Sequence, residues 1–286
     1  MAYRYIYDLI ILGKPRSAAL LTFIGVASFI YASMEINLIK ILLFTGLGLL
    51  ATMGSNSINN YMDLDIDSVM ERARNRPLPR GVFRPIMGLL YGIILFISSI
   101  LMYYIIFNFI SSIIALFGGL YYIVIYTLIL KRRTVWNTVI GGIAGCIPVI
   151  VGWVAARGHL DSPIPILLSL VVFIWTPGHF WRLSLKYVDD YRRVKLPMLP
   201  VVSSPRRTKY IIIILDIVLL GTILLLTALI GDPYYHIFSF TSIILIIYSN
   251  LMLFGKRNPI SIWYSFKLTN IILALIFLGI ILSKLI

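Results

Sequence analysis

Long apolar runs, each closed by a short polar or charged stretch, repeat along most of this chain. The runs at 86–106, 136–154, 164–180 and 211–229 carry almost no charge. Each is about as long as a hydrocarbon-crossing helix requires, roughly 17–25 residues with its flanks. A backbone in lipid must satisfy its own hydrogen bonds, so the runs predict α-helices. The alternating polarity of a membrane barrel is missing. Spans are predicted near 17–34, 37–57, 86–106, 109–130, 136–156, 164–185, 210–230, 235–254 and 266–284. The expected fold class is an all-α integral membrane protein, with about nine transmembrane helices in a single polytopic domain over 1–286.

Composition agrees with this pattern. The 286 residues are 60% hydrophobic and 13% charged, with mean hydropathy +0.95. A soluble domain carries about twice that charged fraction. With the N-terminus inside, the expected cytoplasmic segments hold Arg4, Lys14 and Arg16, then Arg72 to Arg84, Lys131 to Arg133, Arg182 to Lys209, and Lys256, Arg257 and Lys267. Together they contain 22 of the 25 lysines and arginines, leaving Lys40, Arg157 and Lys284 outside. This asymmetry is what the positive-inside rule asks of the span count. The formal charge of +14 therefore reflects orientation plus an anionic partner at the inner face. Nucleic acid does not fit, because the basic residues are divided among short interhelical loops. The bilayer is read as the plasma membrane, with polar loops cytoplasmic and the C-terminus outside. No cleaved signal is expected, since Arg4, Asp8, Lys14 and Arg16 precede the first span without a small-residue cleavage site. Cys146, the one cysteine, permits no internal disulfide and is assigned to core packing.

Two segments concentrate the unusual chemistry. In the first, Asn59, Asp63 and Asp67 are spaced i, i+4, i+8 and share one helical face, while Asp65 points elsewhere. Same-face carboxylates repel unless a cation lies between them. Mg²⁺ suits the pattern, being a hard ion held by one or two carboxylates together with waters and substrate phosphates. Arg72 and Arg76, before Pro77, add planar bidentate donors for phosphate oxygens. The set describes a diphosphate site bridged by Mg²⁺. The second segment places His179, Arg182, Lys186 and Asp190 near one helical face. Lys186 and Asp190 also read as a simple i,i+4 ion pair. Asp189 and Asp190 fall four predicted spans after the first acidic segment. That spacing suggests two four-helix units, 1–133 and 134–258, and a final helix at 266–284. Lys131 and Arg132 end the fourth span, where a topological anchor and a phosphate grip are both open readings; Lys14 and Arg16 share that ambiguity.

These residues resemble the UbiA-type intramembrane prenyltransferases. The superfamily's first motif, Asn-(Asp)-x-x-Asp-x-x-x-Asp, is similar to Asn59, Asp63 and Asp67, with Asn60 at the optional acid. The heme-prenylating branch is similar at Tyr61, Asp65, Ile66, Met70, Arg72 and Arg76-Pro77-Leu78-Pro79. It is similar again at Tyr126-Thr127, Leu130-Lys131-Arg132, Asn137, Gly141-Gly142, Gly145, Pro148 and Gly152-Trp153. Its most distinctive stretch matches Trp175, Pro177, His179-Phe180-Trp181, Asp190-Tyr191 and Pro197-Met198-Leu199-Pro200. The superfamily's second Asp-x-x-x-Asp motif is incomplete, because Arg193 and Val194 stand where its last acid would fall.

The resemblance implies helices around a central cavity and Mg²⁺-dependent transfer of a farnesyl or longer prenyl group from a prenyl diphosphate to a vinyl group of heme B. Asp63, Asp67, Lys186 and Asp190 are the expected catalytic residues. Asn59, Asp63, Asp67 and Asp190 are expected at the metal. Asn59, Arg72, Arg76, Lys131, Arg132 and Lys186 are expected at the diphosphate, and Trp175, His179, Trp181 and Arg182 at the heme. His179 has two open readings: ligand or positioner of the porphyrin, or a structural hydrogen bond to a carbonyl beside Pro177. Asp216, inside the seventh predicted span, marks a functional or helix-paired carboxylate. A downstream heme-modifying enzyme or oxidase assembly is the implied partner. Competing readings are a prenyltransferase for an aromatic quinone precursor or a polar lipid headgroup, and a transporter. A transporter would gather its polar residues at the midplane on interrupted helices, whereas most acids here fall at one interface.

Overall fold

The computed structural model describes residues 2–254 and 259–286; Lys256 and Arg257, counted above with the basic loops, lie outside them. Among the described residues nine helices are long and apolar enough to cross a membrane. An amphipathic helix α1 (Ala2–Leu12) precedes α2 (Pro15–Ala32) and α3 (Leu38–Met62), and a short α4 (Leu64–Val69) follows. Next come α5 (Pro85–Ile106), α6 (Phe109–Leu120) with a π-helical continuation (Tyr121–Leu130), α7 (Asn137–Arg157) and α8 (Ile164–Lys186). Short α9 (Val188–Arg193) and α10 (Leu199–Val202) lead to α11 (Pro205–Ile230), α12 (Pro233–Phe254) and α13 (Pro259–Leu285).

Local chemistry sets the helix ends. Asn37, Asn108 and Ser204 accept backbone N–H bonds from Lys40, Ser111 and Arg207, the N-cap arrangement. Pro15, Pro85 and Pro205 sit at first-turn positions, where a missing N–H costs nothing. Three spans exceed expectation by five residues or more. α3 runs on to Met62 rather than stopping at 57, α11 begins at Pro205 rather than 210, and α13 begins at Pro259 rather than 266. Hydropathy stops where polar residues begin, but those residues remain helical because their side chains find partners. In α3, Asn56 donates to Gly13 O, Ser57 to Gly88 O and Asn60 to Leu12 O.

The spans form a ring in which chain neighbours pack side by side and α13 closes against α2. Contacts of α2 with α7 and of α8 with α13 cross its middle. Helices α3 and α5 meet at two glycines. A Cβ on Gly54 would lie 2.8 Å from Gly92 O, and one on Gly92 would lie 2.8 Å from Gly54 O. Small residues permit this approach, which in lipid replaces the hydrophobic drive for helix association. Cys146 packs in the main apolar core with Ile24, Val149, Leu168, Leu219 and Phe277. A second core forms at one end, where Ile66, Met70 and Ala73 bury against Trp181, Leu185, Tyr191, Leu196 and Met198. That core binds residues 62–84 to residues 187–204.

Candidate active site

The helical repeat survives the junction of α3 and α4. Asp63 N bonds to Asn59 O at 2.9 Å and Asp67 N to Asp63 O at 2.8 Å, so Asn59, Asp63 and Asp67 do share a face. All three are buried. Asn59 is fixed on every side: its Nδ2 donates to Asp63 Oδ2 (2.8 Å) and Thr127 Oγ1 (3.0 Å), and its Oδ1 accepts from Lys14 Nζ (2.6 Å). Asp63 Oδ2 also receives Lys131 Nζ at 2.5 Å, and Asp67 Oδ2 receives Arg76 at 2.5 Å. Asp63 Oδ1, in a side chain only 2% exposed, has no hydrogen-bond partner among the described residues. A buried carboxylate oxygen left bare is expensive, and its natural complement is a cation.

Asp63 and Asp67 thus each have one oxygen held by a basic side chain. Among the described residues no group of three or more His, Cys, Asp and Glu converges. The side chains that share this face, Asn59, Asp63 and Asp67, present oxygen donors, a set that fits a hard ion such as Mg²⁺ and not a thiolate- or imidazole-seeking one. Asp65, 65% exposed, forms a bidentate pair with Arg132 at 2.7 Å to each oxygen. The Arg132 hydrogen bond lowers the Asp65 carboxyl below its ordinary range. Arg132 also donates to Met62 O. The structure thus brings Arg132 to the rim as a brace for the α3–α4 corner, rather than to the Asp63–Asp67 face.

The π-helical turn explains how the fourth span reaches this site. Thr127 Oγ1 donates to Tyr122 O at 2.9 Å and Lys131 N to Tyr126 O at 2.8 Å, both five-residue steps. The widened turn places Thr127 and Lys131 against Asn59 and Asp63. Such turns are rare and cluster at functional sites. Tyr122 and Tyr126 stack at 5.7 Å on the same turn, and Tyr122 donates to Asn56.

Lys14 is a residue whose role the sequence left open. It occupies left-handed backbone (φ 51°) just before Pro15, a strained conformation for a non-glycine residue. The strain aims its ammonium at Asn59. Burial, reinforced by the Arg76 charge, pushes the Lys14 ammonium down to about 7. Lys14, Arg72 and Lys186 each lack a carboxylate partner among the described residues. Arg72 donates to Tyr191 OH at 2.8 Å and lies over the Tyr187 and Tyr191 rings. Lys186 lies 3.9 Å over the Trp263 ring. These cations remain available to an anion.

The second segment splits where the sequence suggested one face. The helix breaks at Tyr187 (φ −111°, ψ 34°), so no Lys186–Asp190 pair forms. Asp190 instead accepts the backbone N–H groups of Glu71 and Arg72, both at 3.3 Å. That arrangement differs from the expected metal ligand: both oxygens anchor the 70–84 segment. Arg80 fastens its far side to buried Asp8 at 3.1 Å, a contact missed because Asp8 lies far away in sequence. Trp181 packs beneath α4 in the second apolar core. Arg182 is 1% exposed and spends its donors on Asp216 (2.5 Å), Asn250, Ser265 and Gly178 O. It ties α8 to α11, α12 and α13, and the expected heme propionate contact is replaced by Asp216. His179 bonds to Thr269 Oγ1 at 2.6 Å and not to a carbonyl beside Pro177.

A cation-lined carboxylate pair at one end of a nine-helix ring is the geometry to which known proteins can be compared. Residues 19–277 match the UbiA prenyltransferase family. The chain belongs to that family. Among curated UbiA relatives, the protoheme IX farnesyltransferase of Streptomyces avermitilis is 44% identical over 219 residues, covering 76% of this chain and 72% of that protein. The protoheme IX farnesyltransferase of Orientia tsutsugamushi is 37% identical over 283 residues, covering 96% and 88%. Solved UbiA structures share the fold. The apo UbiA homolog of Aeropyrum pernix K1 aligns with TM-score 0.77 at 20% identity, over 93% of this chain and 97% of that one. The Archaeoglobus fulgidus UbiA homolog bound to GPP and Mg²⁺ aligns with TM-score 0.67 at 15% identity, over 96% and 99%.

Proposed function

We propose that this chain transfers a farnesyl group from farnesyl diphosphate to a vinyl carbon of protoheme IX, giving heme O. Two buried carboxylates, each gripped by a cation on one oxygen, with Asp63 Oδ1 bare, carry the diphosphate half of this reading. The extent of identity to protoheme IX farnesyltransferases supports the acceptor half.

Asp63 and Asp67 would hold Mg²⁺, with Asn59 fixing the orientation of Asp63. Bound there, the cation supplies Lewis-acid charge to the diphosphate oxygens. Lys14, Arg72 and Lys186 would meet the diphosphate directly, joined by Arg76 and Lys131 beside Asp67 and Asp63. Charge grows on the diphosphate as the allylic C–O bond breaks, so fixed cations stabilise the transition state more than the ground state. The stacked Tyr122 and Tyr126 faces each offer the allylic cation about 0.5–2 kcal/mol. The vinyl carbon attacks that cation, and water captures the new carbocation beside the ring and gives up a proton to the departing diphosphate or to solvent, leaving a hydroxyfarnesylethyl group. Trp175 and His179 form the heme side of the site, and Asp190 keeps the 70–84 segment seated over the diphosphate.

The excess of basic residues at the polar end supports an orientation with that end in the cytoplasm and the C-terminus outside the plasma membrane. A heme-modifying enzyme or an oxidase under assembly would receive the product. A steady-state assay of diphosphate release tests the reading: release should require heme B, Mg²⁺ and farnesyl diphosphate together. Release driven instead by a hydroxybenzoate would keep the metal site and remove heme as acceptor.

A further inference from the structure

The hydrogen bonds around His179 determine which ring nitrogen carries its proton. His179 Nδ1 lies 2.6 Å from Thr269 Oγ1, and the same hydroxyl lies 2.7 Å from Phe266 O. One hydroxyl proton serves these two contacts. If it pointed at Nδ1, two oxygens would face each other at hydrogen-bond distance with no proton between them. Both contacts hold a proton only when Oγ1–H donates to Phe266 O and Nδ1–H donates to Oγ1. The neutral ring then carries its lone pair on Nε2, which makes no hydrogen bond among the described residues.

Both faces of the ring are covered and Phe180 stands perpendicular to it at 5.7 Å, so a ligand can meet the imidazole only along an edge. Trp175 stacks on one face of the ring at 4.2 Å and Phe266 on the other at 4.4 Å. Trp175 is itself fixed by its Nε1–H bond to Thr269 O at 2.8 Å. Thr269 therefore holds the imidazole with its side chain and the covering indole with its backbone. A metal-binding histidine characteristically donates its other N–H to an oxygen in this way. A lone imidazole is a poor site for a free ion, and no cluster of His, Cys, Asp and Glu surrounds it. It suits a metal that arrives with its remaining ligands in place, as porphyrin iron does. The diphosphate site is not its target: Lys186 lies seven residues further along α8, about 10 Å away along the axis, and Mg²⁺ prefers oxygen donors.

We infer that His179 Nε2 is the axial ligand to the iron of the heme acceptor, and that Thr269 is the positioning residue that fixes the required tautomer. This rests on the heme reading of the function. The test is optical titration of the purified protein with ferric heme B and with metal-free protoporphyrin. The wild type should show the spectrum of an imidazole-ligated heme and bind heme more tightly than the metal-free ring. His179→Ala should lose both the spectrum and the preference, and added imidazole should restore the spectrum. Thr269→Val should weaken heme affinity by about 10–100-fold, and Thr269→Ser should recover it, while Mg²⁺-dependent binding of a farnesyl diphosphate analogue stays unchanged in every variant. An unaltered heme spectrum in His179→Ala would overturn the ligand assignment and leave the heme reading intact. Failure of the wild type to bind heme at all would overturn both.

Discussion

Replacing Asp63 with asparagine separates the catalytic role of this carboxylate from its role in the fold. Oδ2 accepts from Asn59 Nδ2 at 2.8 Å and from Lys131 Nζ at 2.5 Å, while Oδ1 has no partner. An asparagine can turn its oxygen to both donors and place its NH₂ where Oδ1 stood. The packing survives, but the Asn59 bond becomes an ordinary one and the Lys131 ammonium loses its countercharge, a loss of about 1–2 kcal/mol of stability. The site loses far more, because an amide NH₂ now points where a cation should bind. Removing one preorganised electrostatic contact in a water-excluded site costs about 3–4 kcal/mol of barrier, or 10²–10³ in rate at about 1.4 kcal/mol per decade. Turnover would be read from diphosphate release and folding from thermal unfolding in detergent, on one preparation. Asp63→Asn retaining turnover within tenfold of wild type would refute the metal assignment. Lost turnover accompanied by lost folding would refute the separation of roles.

Other predictions follow from the same geometry. Lys14, lowered to about 7, should take up about one proton when diphosphate binds at pH 8, since only about a tenth of it is charged beforehand. Calorimetry in buffers of different ionisation enthalpy reads that uptake, which Lys14→Met should remove. In the ligand-free protein the folded Lys14 releases its proton near pH 7, whereas the unfolded one holds it to about 10.5. Its contribution to stability therefore becomes more favourable as pH rises across that window, and a flat difference between wild type and Lys14→Met would contradict this. Asp216→Ala strands the buried Arg182 guanidinium and should cost about 3–5 kcal/mol, whereas Arg182→Met with Asp216→Leu should recover most of it; equal stability of the two variants in denaturant would contradict the pairing. Asp190→Asn should speed proteolysis within residues 70–84, because its single oxygen can accept from only one of the Glu71 and Arg72 N–H groups and its NH₂ would face the other; an unchanged cleavage pattern would remove Asp190 as the anchor. Arg132→Ala should shift stability by no more than about 1 kcal/mol, since the Asp65–Arg132 pair is exposed.

The sequence carried the spans because hydropathy in lipid is a strong, local signal. It carried Asn59, Asp63 and Asp67 because their four-residue spacing survives the kink at Asp63 through unbroken i→i−4 bonds. It could not show the π-helical turn at Tyr121–Leu130, which no residue type specifies, so the contact of Thr127 with Asn59 stayed hidden. The grouping of His179, Arg182, Lys186 and Asp190 on one face assumed a continuous helix. The break at Tyr187 sends Asp190 to the backbone of Glu71 and Arg72, and Asp216 claims Arg182. Thr269 gave no signal at all, since a threonine in an apolar helix ordinarily bonds back to its own backbone. Only the meeting of α8 with α13 shows that its hydroxyl also meets an imidazole nitrogen.

The central claim is tested most directly by mass spectrometry of the heme recovered after incubating purified protein in detergent with Mg²⁺, farnesyl diphosphate and heme B. The expected product is a heme heavier by one farnesyl and one hydroxyl group, absent with EDTA and in Asp63→Asn. No heme product, from a preparation that prenylates a hydroxybenzoate, a naphthoate or a glycerol phosphate lipid, would contradict the acceptor while leaving the fold and the carboxylate site standing.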